Sequence, residues 1–172
     1  MKKFFVWALN KAKAGQPFWL NVFFRKALPF NAPHGIRIVE MGEASVRVSL
    51  PNRRSNKNHL NGIHACAMAT ACEFASGLAV LERFNMEDFR LIMHRLEMDY
   101  HRRPAPGDCE SRAAIPQQLE QQIREELATS TDQASRFSMV SELFDGAGEL
   151  VATAQVHWHV KPWSAVRFGR PS

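Results

Sequence analysis

The chain has 172 residues and a formal net charge of +5, with 45% hydrophobic and 23% charged residues. This length suits one domain with its own hydrophobic core, and the composition is that of an ordinary globular protein rather than a disordered chain. Three cysteines without a CxxC pair argue against a disulfide framework and favour a reducing, cytoplasmic setting. The positive charge would suit phosphate-bearing ligands, anionic lipid surfaces or nucleic acid, but no recognisable nucleic-acid motif supports the last of these.

The first elements in chain order are two predicted short helices, at residues 2–14 and 17–28. Both carry aromatic side chains interleaved with lysines, an arrangement that would suit peripheral contact with a membrane interface. We favour the alternative, in which the helices pack over one end of the domain. The start of the chain resembles a signal peptide only briefly, because the apolar stretch from Phe4 to Leu9 is short and is followed at once by lysines. Secretion is therefore not expected.

Strands and one long helix are predicted next. Residues 36–41 and 44–50 have the composition of strands, and in the second of them apolar and polar residues alternate with a period of two. Residues 51–61 are polar and basic, which predicts a loop. The apolar run that follows predicts a helix at residues 64–84.

Four more strands and a short helix complete the predicted elements. The strand at residues 89–103 is expected to place Ile92, His94 and Leu96 on one face together with Met98 and Tyr100. The final strand alternates clearly, and Leu150 is expected on the same face as its other apolar residues. The remaining predicted strands lie at 108–115, 135–144 and 149–160, and the helix lies at 117–128 after Pro116.

The long helix has no polar face, and Glu73 is the one charged residue between positions 65 and 81. A helix that is hydrophobic all round is normally buried in a core. A lone carboxylate there would be desolvated, which raises its pKa, and acids of this kind are candidates for a functional site. The alternative is a structural glutamate at a subunit seam, with its carboxylate reaching water.

The order of elements predicts an α+β fold in which an antiparallel sheet of about six strands wraps around the long helix. We expect a single domain over residues 1–172, with an N-terminal helical extension at 1–30 and a core at 36–161. One sheet of six strands cannot surround a helix completely. The uncovered part of the helix would need a second subunit, so we expect at least a dimer.

The segment from Asn58 to Gly77 resembles the motif of hotdog-fold thioesterases. In that family an Asn or Gln precedes a Gly, a His stands at the helix start, and an Asp or Glu follows nine residues after the His. Asn58, Gly62, His64 and Glu73 occupy these places here. The resemblance extends from Trp19 to Val160 and is closest to an uncharacterised acyl-CoA thioesterase-like subfamily. It implies the hotdog fold with extra N-terminal helices.

The resemblance also implies hydrolysis of an acyl thioester, carried by coenzyme A or a carrier protein, at the interface of a homodimer or homotetramer. Glu73 would be the general base or the nucleophile, and Asn58 would orient the carbonyl. The amide of Ala65, in the first helical turn, would stabilise the oxyanion. His64 would orient the loop or cap the helix. Two departures stand out, since Ala65 replaces a common glycine and Gly77 lies where some relatives place a hydroxyl.

Further residues are candidates for substrate binding. The side chains of Arg53, Arg54 and Lys57 could bind phosphate groups of the substrate. Arg102 and Arg103 could do the same. His157 and His159 share a strand face at a spacing that could bind metal, but a solvated face is the interpretation we favour. No metal and no cofactor is expected. The candidate substrate-binding residues are Asn61, Gly62, Arg53, Arg54, Lys57 and Gly77.

Two other functions on the same fold remain open. One is a non-catalytic module that binds fatty-acyl groups as a sensor or structural partner. The other is a dehydratase, although its usual pairing of an acid with a histidine is not apparent in this chain. Cys66 and Cys72 are expected to be embedded in apolar surroundings and unreactive.

Overall fold

The structure is a computed structural model that describes residues 2–42 and 45–166. Within these residues the chain forms four α-helices and one antiparallel sheet of six strands, which confirms the predicted hotdog architecture. The helices are α1 (Lys2–Lys13), α2 (Phe18–Ala27), α3 (Ala65–Arg83) and α4 (Gln117–Thr129). The strands are β1 (Arg37–Met41), β2 (Val46–Leu50), β3 (Phe89–Tyr100), β4 (Cys109–Ala113), β5 (Ser135–Phe144) and β6 (Leu150–Pro162).

The sheet packs one face against α3, and we call this its inner face. The strand order is β1-β2-β4-β5-β6-β3, so β1 and β3 form the two edges. Helix α3 contacts five of the strands, which explains why it has no polar side. By length and composition α3 could cross a membrane, but 61% of its apolar window is buried inside the protein. It is the core helix of the fold.

The N-terminal helices α1 and α2 pack on each other and against β1, as expected from the sequence. Phe5, Leu20 and Phe24 are buried in the main core, and the Phe24 ring meets the Phe74 ring of α3 edge-on at 5.3 Å between centroids. The outward side of α2 exposes aromatic rings, of which Phe18 is 64% exposed. Membrane contact through these helices stays a prediction.

The faces of β3 differ from the prediction because the strand contains a bulge. Its register against β6 shifts between Met93 and Arg95, so that His94 has no partner in the ladder. A bulge exchanges the two faces of a strand, which a simple period of two does not anticipate. The expectation that Ile92 and His94 share a face with Leu96 is therefore wrong: Leu96 packs on the core, whereas Ile92 is 44% exposed on the outer face.

A second irregularity changes the start of β6. The register between β5 and β6 shifts at Phe144, which pairs with Leu150, while Leu143 pairs with Ala152. Val151 is consequently buried and Leu150 lies on the opposite face from the core residues. The expectation that Leu150 shares the inner face is wrong for the same reason as in β3.

Candidate functional site

The loop before α3 is a tight hairpin built around Asn58. Its Oδ1 accepts hydrogen bonds from the backbone N–H groups of Leu60 (3.0 Å) and Gly62 (3.1 Å). Asn61 at the tip has a φ of +60°, a left-handed conformation that asparagine tolerates better than most residues. The side-chain Nδ2 of Asn58 makes no hydrogen bond within the described residues, whereas its backbone N–H donates to the carbonyl of Gly62 at 2.9 Å. Asn58 therefore holds the loop with its oxygen and keeps a donor available.

A buried asparagine anchors this loop to the rest of the domain. The Nδ2 of Asn56 donates to the carbonyls of His34 (2.8 Å) and Pro51 (2.9 Å). Its own backbone carbonyl accepts from the N–H of His64 at 2.7 Å. The sequence interpretation placed Asn56 in a polar loop and missed this role, because nothing in the local pattern distinguishes it from its solvated neighbours.

Helix α3 begins with one backbone donor left free. His64 is the N-cap, and its Nδ1 accepts a hydrogen bond from the N–H of Cys66 at 3.0 Å. Its carbonyl oxygen accepts from the backbone N–H groups of Ala67 and Met68. The N–H of Ala65 has no acceptor among the residues that the structure describes. The hydroxyl of Tyr100 donates to the Ala65 carbonyl at 3.0 Å and fixes the first turn. This free amide at the positive end of the helix dipole can stabilise an oxyanion.

Glu73 lies partly buried on α3, and within the described residues it makes neither a hydrogen bond nor an ion pair. Burial raises the pKa of its carboxyl from 4.5 to about 7. Together with Cys66 and Thr70 it forms a strip along α3 that the sheet leaves uncovered, because these residues recur every three or four positions. Cys66 is exposed on this strip. The expectation that Cys66 is embedded is wrong, whereas Cys72 is buried and burial raises the pKa of its thiol to about 11.

The two main candidate groups do not meet within one chain. Ala65 and Glu73 are eight residues apart on the same helix. At 1.5 Å per residue they are separated by about 12 Å along the helix axis. A water molecule attacking a carbonyl must lie about 3 Å from its base and close to the oxyanion donor. A single chain therefore presents two half-sites rather than a complete centre.

Gly77 has a packing role in the structure. A Cβ at this position would lie 3.2 Å from Cη2 of Trp158, so that a side chain here would require the indole ring to move by a few tenths of an ångström. The ring is held there by Ser76, whose buried Oγ accepts from the indole N–H at 2.7 Å. Ser76 thus faces the sheet and not the uncovered strip. Whether Gly77 also contacts substrate stays a prediction.

The cationic candidates are distributed over several surfaces. Arg54 is exposed. Lys57 is half-buried, and its backbone forms an isolated antiparallel β-bridge with Ile63. Arg103 supports the hairpin, since its Nη2 donates to the carbonyl of Leu60 at 3.0 Å and its side chain packs against Gly62. Arg102 forms an exposed ion pair with Glu149 at 3.4 Å.

Arg53 lines a cavity of about 760 Å3 that lies between α2, β1 and α3. Its floor is apolar and includes Phe24 and Phe74, the residue that follows Glu73. Arg25 and Arg37 lie on its lining together with Arg53. The volume is within the range of small-molecule sites, and the lining suits a ligand with an apolar part and an anionic part.

The two histidines on β6 have separate surroundings. His157 pairs with Glu97 of β3 at 2.7 Å between Nε2 and Oε1. His159 lies farther along β6, next to Arg136 across the sheet. Among the described residues no three His, Cys, Asp or Glu side chains are grouped so as to hold a metal ion.

Comparison with known proteins supports the fold. The family model that matches is the domain of unknown function DUF4442, over residues 19–160. A comparison with curated proteins gave no match. Among solved structures, a probable thioesterase from Pseudomonas aeruginosa is 23% identical with a TM-score of 0.73, covering 83% of this chain and 93% of that chain.

Two further structures have the same fold at lower identity. A candidate thioesterase from Shewanella oneidensis is 14% identical with a TM-score of 0.70, covering 90% of this chain and 98% of its own. A Staphylococcus aureus thioesterase variant is 13% identical with a TM-score of 0.63, covering 78% of this chain and 99% of its own. The family match spans most of the chain, and the protein therefore belongs to the DUF4442 family and has the hotdog fold of these solved structures.

Proposed function

We propose that the protein hydrolyses an acyl thioester, such as an acyl-CoA, with Glu73 as the general base. The observation that carries the proposal is the unpaired, partly buried Glu73 carboxylate with a pKa of about 7, on a helix whose first-turn amide is free. General bases act best when their pKa lies near the working pH. The similarity to proteins named as thioesterases supports the same reaction class.

The reaction uses three groups, the Glu73 carboxylate, the Ala65 backbone amide and the Asn58 side-chain amide. Glu73 takes a proton from a water molecule, and the water oxygen attacks the thioester carbonyl carbon. The carbonyl oxygen becomes an oxyanion, which the Ala65 amide stabilises, and the donor amide of Asn58 orients the same oxygen. Collapse of the tetrahedral intermediate breaks the C–S bond, and the leaving thiolate takes up the proton that Glu73 removed from water, which regenerates the carboxylate. The products are a carboxylic acid and a thiol.

Two copies of the chain would complete the site. Strand β3 is an edge strand of twelve residues, and its Ile92 and Met93 are 44% and 39% exposed. A long edge strand presents unpaired backbone N–H and C=O groups with which another strand can pair. Pairing of β3 with β3 of a second copy would bring the partner towards the uncovered strip of α3. One subunit would then supply Glu73, and the other Ala65 and Asn58.

A relative gives independent support for the two side chains. Two solved structures are of Staphylococcus aureus variants in which a glutamine or a glutamate is replaced by alanine, at positions fifteen residues apart. Asn58 and Glu73 are separated by the same number of positions. An amide and a carboxylate at this spacing are the pair that the proposed mechanism uses.

A panel of acyl-CoAs tested for thiol release would check the activity. Glu73→Gln should lower turnover on the order of 100-fold or more, the usual contribution of an acid–base group. Glu142→Gln is the matched control, since Glu142 is an exposed carboxylate on β5 away from α3. Unchanged turnover in Glu73→Gln would show that this residue is structural.

Mixing two inactive variants would test the shared site. In a dimer of Glu73→Gln with Asn58→Asp, one of the two composite sites contains both native residues. Random reassortment of subunits should therefore restore about one quarter of wild-type activity. If each site is built within one chain, every site in the mixture carries a substitution and no activity returns. Sedimentation of the wild type should independently show a dimer or a tetramer.

The alternative function is a non-catalytic module that binds acyl groups. It is favoured by Gly77, since the Trp158 ring fills the place where some relatives have a hydroxyl. Tight acyl-CoA binding by the wild type, without thiol release over a broad range of chain lengths, would support this alternative against hydrolysis.

A further inference from the structure

A basic cleft lies on the outer face of the sheet, on the side away from α3. Its volume is about 800 Å3, and four basic side chains from three neighbouring strands line it. Arg136 of β5 pairs with His159 of β6, and Arg90 of β3 pairs with Lys161 of β6. These residues alternate with core residues along their strands, so they form one continuous block of side chains.

The positive charge in this cleft is only partly compensated. Among the described residues that line the cleft, Asp132 is the one acidic residue. None of the four basic side chains makes an ion pair within the described part of the chain. The Nε of Arg90 and the Nε2 of His159 are buried and have no hydrogen-bond partner among the residues that the structure describes. Burial and the charges of Arg136 and Arg90 lower the pKa of His159.

The guanidinium groups of Arg90 and Arg136 and the ammonium of Lys161 have no carboxylate partner among the described residues, so an anionic ligand in the cleft would supply the missing acceptors. The ligand must be anionic, because the cleft brings cations together. It must also be polar, since Ala165 and Val166 are the only aliphatic residues of the lining. Guanidinium groups match the geometry of phosphate oxygens, and hydroxyls of Thr131 and Ser164 add further donors.

We propose that this cleft binds the phosphate groups of a small phosphorylated molecule. The cleft is much larger than one phosphate and falls in the range of sites for molecules of nucleotide size. The nucleotide end of coenzyme A and other small phosphorylated molecules belong to this class. Phosphate binding itself does not depend on the proposed thioesterase function.

Calorimetric titration with adenosine 3′,5′-bisphosphate and, separately, with inorganic phosphate tests the inference. The wild type should bind the bisphosphate, and added salt should weaken binding because the contacts are ionic. Arg136→Gln should weaken binding at least about tenfold, the loss expected for one hydrogen bond between charged groups. Arg136 is exposed, so the substitution should leave the fold intact. Lys26→Gln is the control, since Lys26 is an exposed cation on α2 that lines neither cavity.

The outcomes separate this inference from the proposed function. The bisphosphate carries no thioester, so its binding is measured without any hydrolysis. Equal affinity for inorganic phosphate would support a phosphate site and assign it to free phosphate rather than to a nucleotide. Absence of binding for both probes, or equal weakening by Arg136→Gln and Lys26→Gln, would overturn the inference even in a protein that releases thiol from acyl-CoA.

Discussion

Replacing Glu73 with glutamine should stabilise the protein at neutral and alkaline pH while it removes activity. Burial raises the pKa of this carboxyl from 4.5 to about 7. Between these pH values the folded chain keeps a proton that the unfolded chain has already released. Glutamine has the same shape and does not ionise, so the unfolding free energy of the variant does not depend on the protonation of this side chain.

The size of the effect follows from the difference between the two pKa values. Because the folded state binds the proton more tightly, this group's contribution is fully present below pH 4.5 and is lost as the pH rises through about 7. A rise from 4.5 to 7 corresponds to a loss of roughly 3 kcal/mol of unfolding free energy. In a domain of this size that equals a difference in Tm of about 6–12 °C.

Thermal and urea unfolding of both proteins at several pH values between 5 and 8, at one protein concentration, measures this difference. The Tm of Glu73→Gln should exceed that of the wild type by an amount that grows with pH and levels off above neutrality. Taking the difference cancels the titration of all other groups. Glu142→Gln provides the matched control and should show no such growth. A Glu73→Gln difference that stays constant across the pH range would refute the argument that the carboxyl is desolvated.

Four further predictions follow from individual contacts. The kcat/KM of the wild type should increase about tenfold per pH unit below about 7 and then level off, because the base must be ionised. Asn58→Asp keeps the oxygen that holds the hairpin and removes the donor amide, so turnover should fall roughly 100-fold with an unchanged Tm. Gly77→Ala would force a Cβ to 3.2 Å from the ring of Trp158 and should lower the unfolding free energy, measured in urea, by about 1–3 kcal/mol. Ellman's reagent should react with Cys66 before the buried Cys72 and Cys109, at a rate that falls as association covers the α3 strip, and should titrate three thiols after denaturation.

The fold could be predicted largely from hydrophobic pattern. A long run without a polar face has to be surrounded by other elements, which identifies α3 as the core helix before any coordinates are known. The alternation in β5 and β6 likewise identifies strands with one buried face. The bulges at His94 and Val151 could not be predicted, because they depend on the register between strands that are far apart in sequence. Ile92 and Leu150 were assigned to the wrong faces for this reason.

The main groups of the candidate site could be predicted from the sequence, but the contacts that support them could not. Glu73 is a lone charge in an apolar helix, and every helix leaves free amides in its first turn, so both follow from local rules. The supports of the site are contacts between distant positions. Tyr100 reaches Ala65 across 35 residues and Arg103 reaches Leu60 across 43. The basic cleft is equally hidden, because each of its cations resembles an ordinary surface residue until the strands are paired.

The unpaired state of Glu73 has a physical explanation if two copies of the chain combine. A carboxylate with no partner destabilises a folded chain at neutral pH, and nothing in the described part of a single chain offsets that effect. In an isologous pair, the strip of α3 that contains Glu73 would face the same partner that supplies the free Ala65 amide. Substrate would then lie between the carboxylate of one subunit and the helix start of the other. The 12 Å that separate these groups along one helix are incompatible with catalysis within a chain, and a shared site removes that incompatibility.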